Sequence, residues 1–255
     1  MKIATLNINS INAHMETFLK FLSKQSPDIV LLQEIKTDYN SFPFFEINAA
    51  GYKATVLGQK GYNGVAVVSK QEVKIRAENL PNFKDTQARY LEVLADNILI
   101  SCVYMPNGNP LGSDKFKYKL EFMDAFYEHA AKLLAQNEKI ILGGDFNVIL
   151  NAFDVYDEEA FKNNALCAKE AREKLTALKY LGYYDAFRML HEKDVGYTYW
   201  NYARPAFEQD LGMRIDYLFC SASMAEKLKE CTVQKDLRQE EKTSDHTALM
   251  AEFED

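Results

Sequence analysis

The sequence predicts an α/β (α+β) fold: a four-layer sandwich in which two mainly antiparallel β-sheets pack face to face with helices outside. Three observations predict it. Apolar runs of strand length recur along the whole chain, some neighbouring runs are split by turn residues, and only three stretches carry helical periodicity.

Taken in order, the chain enters at once into an apolar run, Ile3 to Ile8. Further runs follow at Ile29 to Leu32, Ala54 to Leu57, Val65 to Val68, Tyr90 to Leu94, Ile98 to Tyr104, Ile140 to Leu142, Arg214 to Cys220 and Ala248 to Phe253. They are short and rich in Val, Ile and Leu, as strands covered on at least one face must be. Ala95-Asp96-Asn97 between two of them reads as the turn of an antiparallel hairpin. Met15 to Ser23 is a short amphipathic helix, and Pro27 closes the connection after it. Lys115 to Gln136 sets Phe116, Leu120, Met123, Phe126, Ala130 and Leu133 at helical spacing, the strongest helix in the chain. Lys169 to Leu181 repeats the pattern and meets Gly182 as a stop. No Pro/Gly/Ser linker, low-complexity tract or repeat interrupts residues 1–255, so a single domain is expected.

Composition narrows the class. The chain is 47% hydrophobic and 26% charged, as soluble globular domains are. No apolar run approaches the ~20 residues of a membrane span. Met1 to Leu6 leads straight into a strand without a signal-peptide pattern, and no CxxC occurs among Cys102, Cys167, Cys220 and Cys231. Buried free thiols and a cytoplasmic setting are expected. The net charge of −7 argues against a broad nucleic-acid-binding face, although a local basic rim needs no overall excess.

Polar clusters stand at the ends of several of these runs. Asn7 and Asn9 share a strand face by period-two alternation, though strand-end amides also form ordinary turns. Glu34 ends an apolar run, where a carboxylate costs desolvation energy unless it is paired or metal-bound; it is either a ligand or a surface residue. Gly143-Gly144-Asp145-Phe146-Asn147 offers a carboxylate beside an amide on one face, able to orient a water and to stabilise oxyanion charge. Asp216 sits inside an apolar run, where it either makes a local salt bridge with Arg214 or orients a histidine. Asp245-His246 precedes the last apolar run and supplies the natural imidazole; His14, His129 and His191 have no neighbouring cluster in the sequence. Tyr104 leads into Met105-Pro106-Asn107-Gly108, where it either meets a phosphate or packs as a strand aromatic. No HExxH, GxSxG, P-loop or GxGxxG pattern occurs, which removes zinc proteases, serine hydrolases, P-loop NTPases and dinucleotide enzymes.

The order Asn…Glu…Tyr-x-Pro-Asn…Gly-Asp-x-Asn…Arg-x-Asp-Tyr…Ser-Asp-His resembles the exonuclease III family of abasic-site endonucleases, among the DNase I-like phosphodiesterases. The resemblance runs from Lys2 to Phe253 and includes Leu32-Gln33-Glu34-Ile35-Lys36, Tyr62-Asn63-Gly64 and Asp185-Ala186-Phe187-Arg188. It implies a Mg²⁺-dependent nuclease, with Mn²⁺ able to substitute, acting as a monomer on double-stranded DNA at abasic sites or 3′ ends. It implies Asn7 and Glu34 at the metal, with Asp145, Asn147, Asp245 and His246 around the same centre. Tyr104, Asp145, Asn147, Asp216 and His246 become the catalytic set, and Lys36, Asn63, Gly64, Arg89, Tyr199, Trp200 and Met213 become DNA contacts. The chain departs from the family at Ser10-Ile11-Asn12, where many relatives have Gly-Leu-Arg. It also departs at Met213, where some have Trp, and at Thr247-Ala248, where Cys-Pro or Ala-Pro is frequent. The rival readings are a lipid or inositol phosphate phosphodiesterase on the same fold, and a binding module that has lost catalysis.

Overall fold

The computed structural model describes residues 1–203 and 205–254. In chain order the elements are β1 (Lys2–Asn7), α1 (Met15–Gln25), β2 (Ile29–Gln33), α2 (Phe44–Ala49), β3 (Lys53–Leu57), β4 (Val65–Ser69), β5 (Lys74–Glu78), β6 (Tyr90–Ala95), β7 (Ile98–Tyr104) and α3 (Asp114–Gln136). They continue as β8 (Ile140–Asp145), α4 (Lys169–Leu181), β9 (Tyr184–Asp185), α5 (Ala186–Leu190), β10 (Asp216–Cys220), α6 (Ala222–Ala225), β11 (Leu228–Val233), α7 (Lys235–Arg238) and β12 (Leu249–Phe253).

Two six-stranded sheets result, ordered β11-β12-β1-β2-β4-β3 and β5-β6-β7-β8-β10-β9. Each is antiparallel apart from one parallel pair, β1 with β2 and β7 with β8. The expected hairpin is β6–β7, pairing Tyr90 with Val103 through Ala95 with Ile98. Strands β5 and β11 lie outside the expected runs because charged residues interrupt their apolar ones (KIRAE and LKECTV); β5 is mostly exposed, while β11 buries Cys231.

Strand alternation sorts the side chains into layers. Ile3, Leu31, Val67, Val93, Ile100, Ile141 and Leu218 fill the seam between the sheets. Their strand neighbours Leu6, Val30, Leu32 and Val68 face outward under Phe18, Phe21 and Leu22 of α1. On the other sheet Leu99, Val103, Leu142 and Phe219 face outward under Phe122 and Phe126 of α3 and Leu175 and Leu178 of α4. The same parity decides where function can sit. Asn7, Tyr104, Asp145 and Asp216 lie on the inward parity of their strands, so each points into the seam at the end where the sheets open. Below them Gln33 donates to the Thr5 hydroxyl at 3.1 Å, closing the seam with a satisfied polar pair. All four cysteines are free and buried. Among the described residues no helix is long and apolar enough to cross a membrane.

Candidate active site

Six chain segments converge at the open end of the seam. Register fixes three of them: Tyr104 stands beside Asp145 across the parallel pair β7–β8, and Asp216 opposite Asp145 across β8–β10. The close approach of β7 and β8 explains the second glycine before Asp145. A Cβ on Gly144 would lie 1.8 Å from the Val103 carbonyl oxygen. Just past the strand ends, Asn9, Glu34, Lys36 and Asn147 all adopt positive φ. For Glu34 and Lys36 this left-handed backbone carries strain, tolerated where the surroundings hold it.

Asn7 ties the two sheets together. Its Nδ2 donates to Glu34 Oε1 at 2.8 Å and to Asp145 Oδ2 at 3.0 Å, while its Oδ1 accepts from the Asn9 amide. Asn7 therefore bridges two carboxylates with its amide nitrogen rather than turning an oxygen to the centre. Asn147 is placed alike: its backbone N–H and Nδ2 both donate to Asp145, and Asn107 donates to its Oδ1. Both expected amide ligands thus serve as donors. Glu34 pairs with Lys36 at 3.0 Å; burial works against its charge, but Asn7 and Lys36 hold the carboxyl below the ordinary range. Asp245 Oδ1 accepts from Asn9 Nδ2 at 3.0 Å.

His246 Nδ1 meets Asp216 Oδ2 at 2.8 Å, and its Nε2 points toward Asp145 Oδ2 at 3.8 Å. Burial opposes the imidazolium, yet Asp216 and then Asp145 outweigh it and raise His246 to about 10. Burial and the neighbouring Asp216 push Asp145 up to about 7. Four carboxylates against Lys36 and His246 leave the centre short of positive charge, and the buried Oδ1 of Asp216 has no hydrogen-bond partner. Asp145, Asp216 and His246 each offer one ligand atom, all within 4.8 Å of one another. With His246 charged and paired to Asp216, the oxygen donors left to a divalent cation are the carboxylates of Glu34, Asp145 and Asp245, which line the same cleft.

The cluster forms the floor of a cleft of about 490 Å³ walled by Tyr104, Asn164, Leu166, Tyr199 and Met213. A larger hollow of about 580 Å³ lies at the opposite end of the sandwich, near Lys70–Val73 and Ala95–Ile98, remote from the cluster. Tyr104 stands over Glu34, and burial together with Glu34 keeps its hydroxyl protonated. Arg89 stacks on the Tyr104 ring at 4.7 Å.

The expected DNA contacts divide. Tyr199 and Met213 line the cleft, and Lys36 and Arg89 stand half-buried at its edge. Trp200 does not: it is fully buried, with Nε1 donating to Asp210, and its backbone N–H holds the Asp245 carbonyl at 2.9 Å. The aromatic run gives no hint that Tyr199 faces the cleft while Trp200 packs on Tyr197 and Phe207. Asn63 is also internal, its amide donating to Gln59 and Gln87, and the Gly64 N–H is taken by Ala88. These three brace the site from behind. Residues outside the expected set also belong here. Thr198 Oγ1 accepts from the Asp216 N–H, and Asn107, Asn109 and Asn164 chain their amides outward from Asn147. The Pro-Asn-Gly-Asn turn could have signalled the first two; nothing in Asn163-Asn164 marks the third.

Comparison with known proteins agrees with this geometry. A model of the endonuclease/exonuclease/phosphatase family matches residues 4–246. Exodeoxyribonuclease III of Haemophilus influenzae is 29% identical, covering 99% of this chain and 100% of its own. The 3′ phosphatase NExo from Neisseria, solved with a product DNA hairpin, superposes with a TM-score of 0.97 at 34% identity, covering 100% of this chain and 99% of its own. An AP endonuclease from Archaeoglobus fulgidus gives 0.96 at 30% identity with full coverage of both chains. The family match begins within β1 and ends on His246, enclosing every strand end that feeds the cluster, and the chain belongs to the endonuclease/exonuclease/phosphatase family.

Proposed function

We propose that the chain is a single-domain Mg²⁺-dependent DNA-repair nuclease that hydrolyses the phosphodiester 5′ to abasic sites and also processes 3′ ends of double-stranded DNA. The observation that carries it is the Asp216–His246–Asp145 line, joined through Asn7 to Glu34, on the floor of an open cleft. The relatives named exodeoxyribonuclease III, 3′ phosphatase and AP endonuclease support both substrate classes.

Glu34, Asp145 and Asp245 would hold the ion, which supplies charge neutralisation of the scissile phosphate; Mn²⁺ meets the same oxygen donors. The protein's own groups do the rest. Asp145, held in place by the Asn7 side chain and the Asn147 backbone N–H, takes a proton from the attacking water. Asn147 Nδ2 donates to the Met105 carbonyl at 2.9 Å and, with a longer bond of 3.2 Å, to Asp145; it turns the second of these N–H donors to the phosphoryl oxygen as charge develops. His246 stays an imidazolium because Asp216 lies behind it, and its Nε2–H faces the phosphate. Tyr104 stays a phenol and offers its O–H. Tyr199 and Met213 present an apolar wall to the sugar, and Lys36 and Arg89 contact the flanking phosphates. A monomer acting in the cytoplasm completes the reading.

The test incubates the protein and Mg²⁺ with three duplexes: one abasic, one undamaged and blunt, one 3′-phosphorylated. Incision of the abasic duplex and trimming at the 3′ ends are expected. No cleavage of any duplex, together with turnover of a phospholipid or inositol phosphate, would sink the reading.

A further inference from the structure

Lys119 lies on α3, on the side of the sheet away from the cleft's opening, and is fully buried. Lysines are almost never wholly buried without a carboxylate, because desolvating the ammonium is costly. Here the compensation is three backbone carbonyls. Nζ donates to Asn147 at 2.6 Å, to Asn107 at 3.1 Å and to Ala165 at 3.4 Å, one carbonyl for each ammonium proton.

Those carbonyls belong to three loop segments: the one following β7, and the two ends of the connection between β8 and α4. Each segment presents an amide to the cleft: Asn107, Asn147 and Asn164. The amides are linked above the lysine, Asn107 to Asn147 at 3.1 Å and Asn109 to both Asn107 and Asn164. Asn147 itself has φ +49, so its carbonyl turns down to Lys119 while its side chain turns up to Asp145. The first loop is moulded on the lysine stem. A Cβ on Gly108 (φ +85) would stand 2.6 Å from Lys119 Cδ and 3.4 Å from the Ala165 Cβ.

We propose that Lys119 is a positioning residue for cleavage: it clamps the three loop segments from below and sets the Asn147 amide against Asp145. The proposal rests on the reading that Asn147 acts on the phosphate. A mere core stitch would cost stability wherever it was cut and leave kcat alone. A clamp acting through Asn147 ties its kinetic effect to that residue.

The experiment is a double-mutant cycle on the abasic duplex. Lys119→Met keeps the stem and removes all three donors; kcat should fall about 30-fold with KM changed less than about threefold, as expected for a misplaced reacting group. In an Asn147→Ala background the same substitution should cost less than about twofold. Leu133→Ala, a buried α3 residue remote from the cleft, serves as the stability-matched control and should leave kcat near wild type. Lys119→Gln, which keeps two donors on a shorter stem, is read the same way should the Met variant fail to fold. An active wild type whose loss is equal in both backgrounds, or whose kcat does not change, would overturn the role of Lys119 alone. A wild type that cleaves no duplex would overturn the functional reading and this role with it.

Discussion

Two carboxylate–imidazole pairs stand on opposite faces of the same sheet. Asp216 and His246 meet at 2.8 Å on the inner face of β10; Glu92 and His129 meet at 2.7 Å on the outer face of β6. Distance and burial do not separate them, since all four side chains are at least mostly buried. What separates them is the rest of each environment. Around Glu92 the network closes on itself: the Tyr90 hydroxyl donates at 2.6 Å, Ser101 follows at 2.9 Å, and the Tyr90 ring packs edge-on against His129. Around His246 it stays open, with Nε2 facing a second carboxylate and a cleft. A carboxylate–histidine pair is therefore a stabilising unit or a reactive one according to whether anything is left for the imidazole to do.

The sharpest way to break this comparison is to remove each imidazole in turn. His246→Asn should lower cleavage of the abasic duplex by about 10³-fold, the scale of a lost proton-transfer or charge-stabilising group. His129→Asn should leave it within about twofold, while lowering stability by about 1–3 kcal/mol through the buried Glu92 it strands. Steady-state rates and denaturant midpoints read both, and equal kinetic losses would erase the distinction.

Next in size is Asp216→Asn, expected to cost about 10²-fold, because an amide orients the ring without stabilising its charge. Asp216 is the main cause of the raised His246 value of about 10, so the alkaline limb of the rate profile should move toward neutrality. An unchanged limb would mean that His246 is not the group titrating there.

A smaller effect is thermodynamic. Asp145 and His246 both bind protons more tightly in the folded chain than in the unfolded one, with values of about 7 and about 10. In such windows the native state holds the extra proton, so stability falls as pH rises. With chelator present, the contribution of His246 is complete below its unfolded value of about 6.5 and is lost as pH rises through about 10. That of Asp145 is complete below its unfolded value of 3.8 and is lost as pH rises through about 7. Mg²⁺ should reverse the trend, raising the melting temperature more at alkaline than at acid pH, because a cation competes with these protons. Denaturation series across pH with and without Mg²⁺ check the sign.

The sequence carried the architecture well where periodicity was strong. The helix expected over Lys169 to Leu181 has those bounds, and the Lys115 to Gln136 helix begins one residue earlier, at Asp114, capped by Ser113. Alternation also placed the site, since Asn7, Tyr104, Asp145 and Asp216 share inward parity. Long-range pairing was less legible. One long-range pair was anticipated, Asp216 with His246, and the two meet at 2.8 Å. His129 seemed isolated because its partner lies on β6, far away in the chain. The burial of Trp200 and Asn63 was not foreseen, because composition cannot say which way a loop residue turns. The unusual Thr247 gains an account: its hydroxyl donates to the Gln234 carbonyl at 2.5 Å, pinning the segment behind His246.

The most direct test of the open pair's role is Asp145→Asn, measured for both chemistry and binding. Asn at this position keeps the shape and the contact with Asn7 but cannot take a proton from water. Cleavage of the abasic duplex should be abolished, while the Kd for the same duplex in chelator stays within about threefold of wild type, as expected for an interaction made only in the transition state. Cleavage that survives, or binding that falls as far as cleavage does, would contradict the account and leave Asp145 a structural residue.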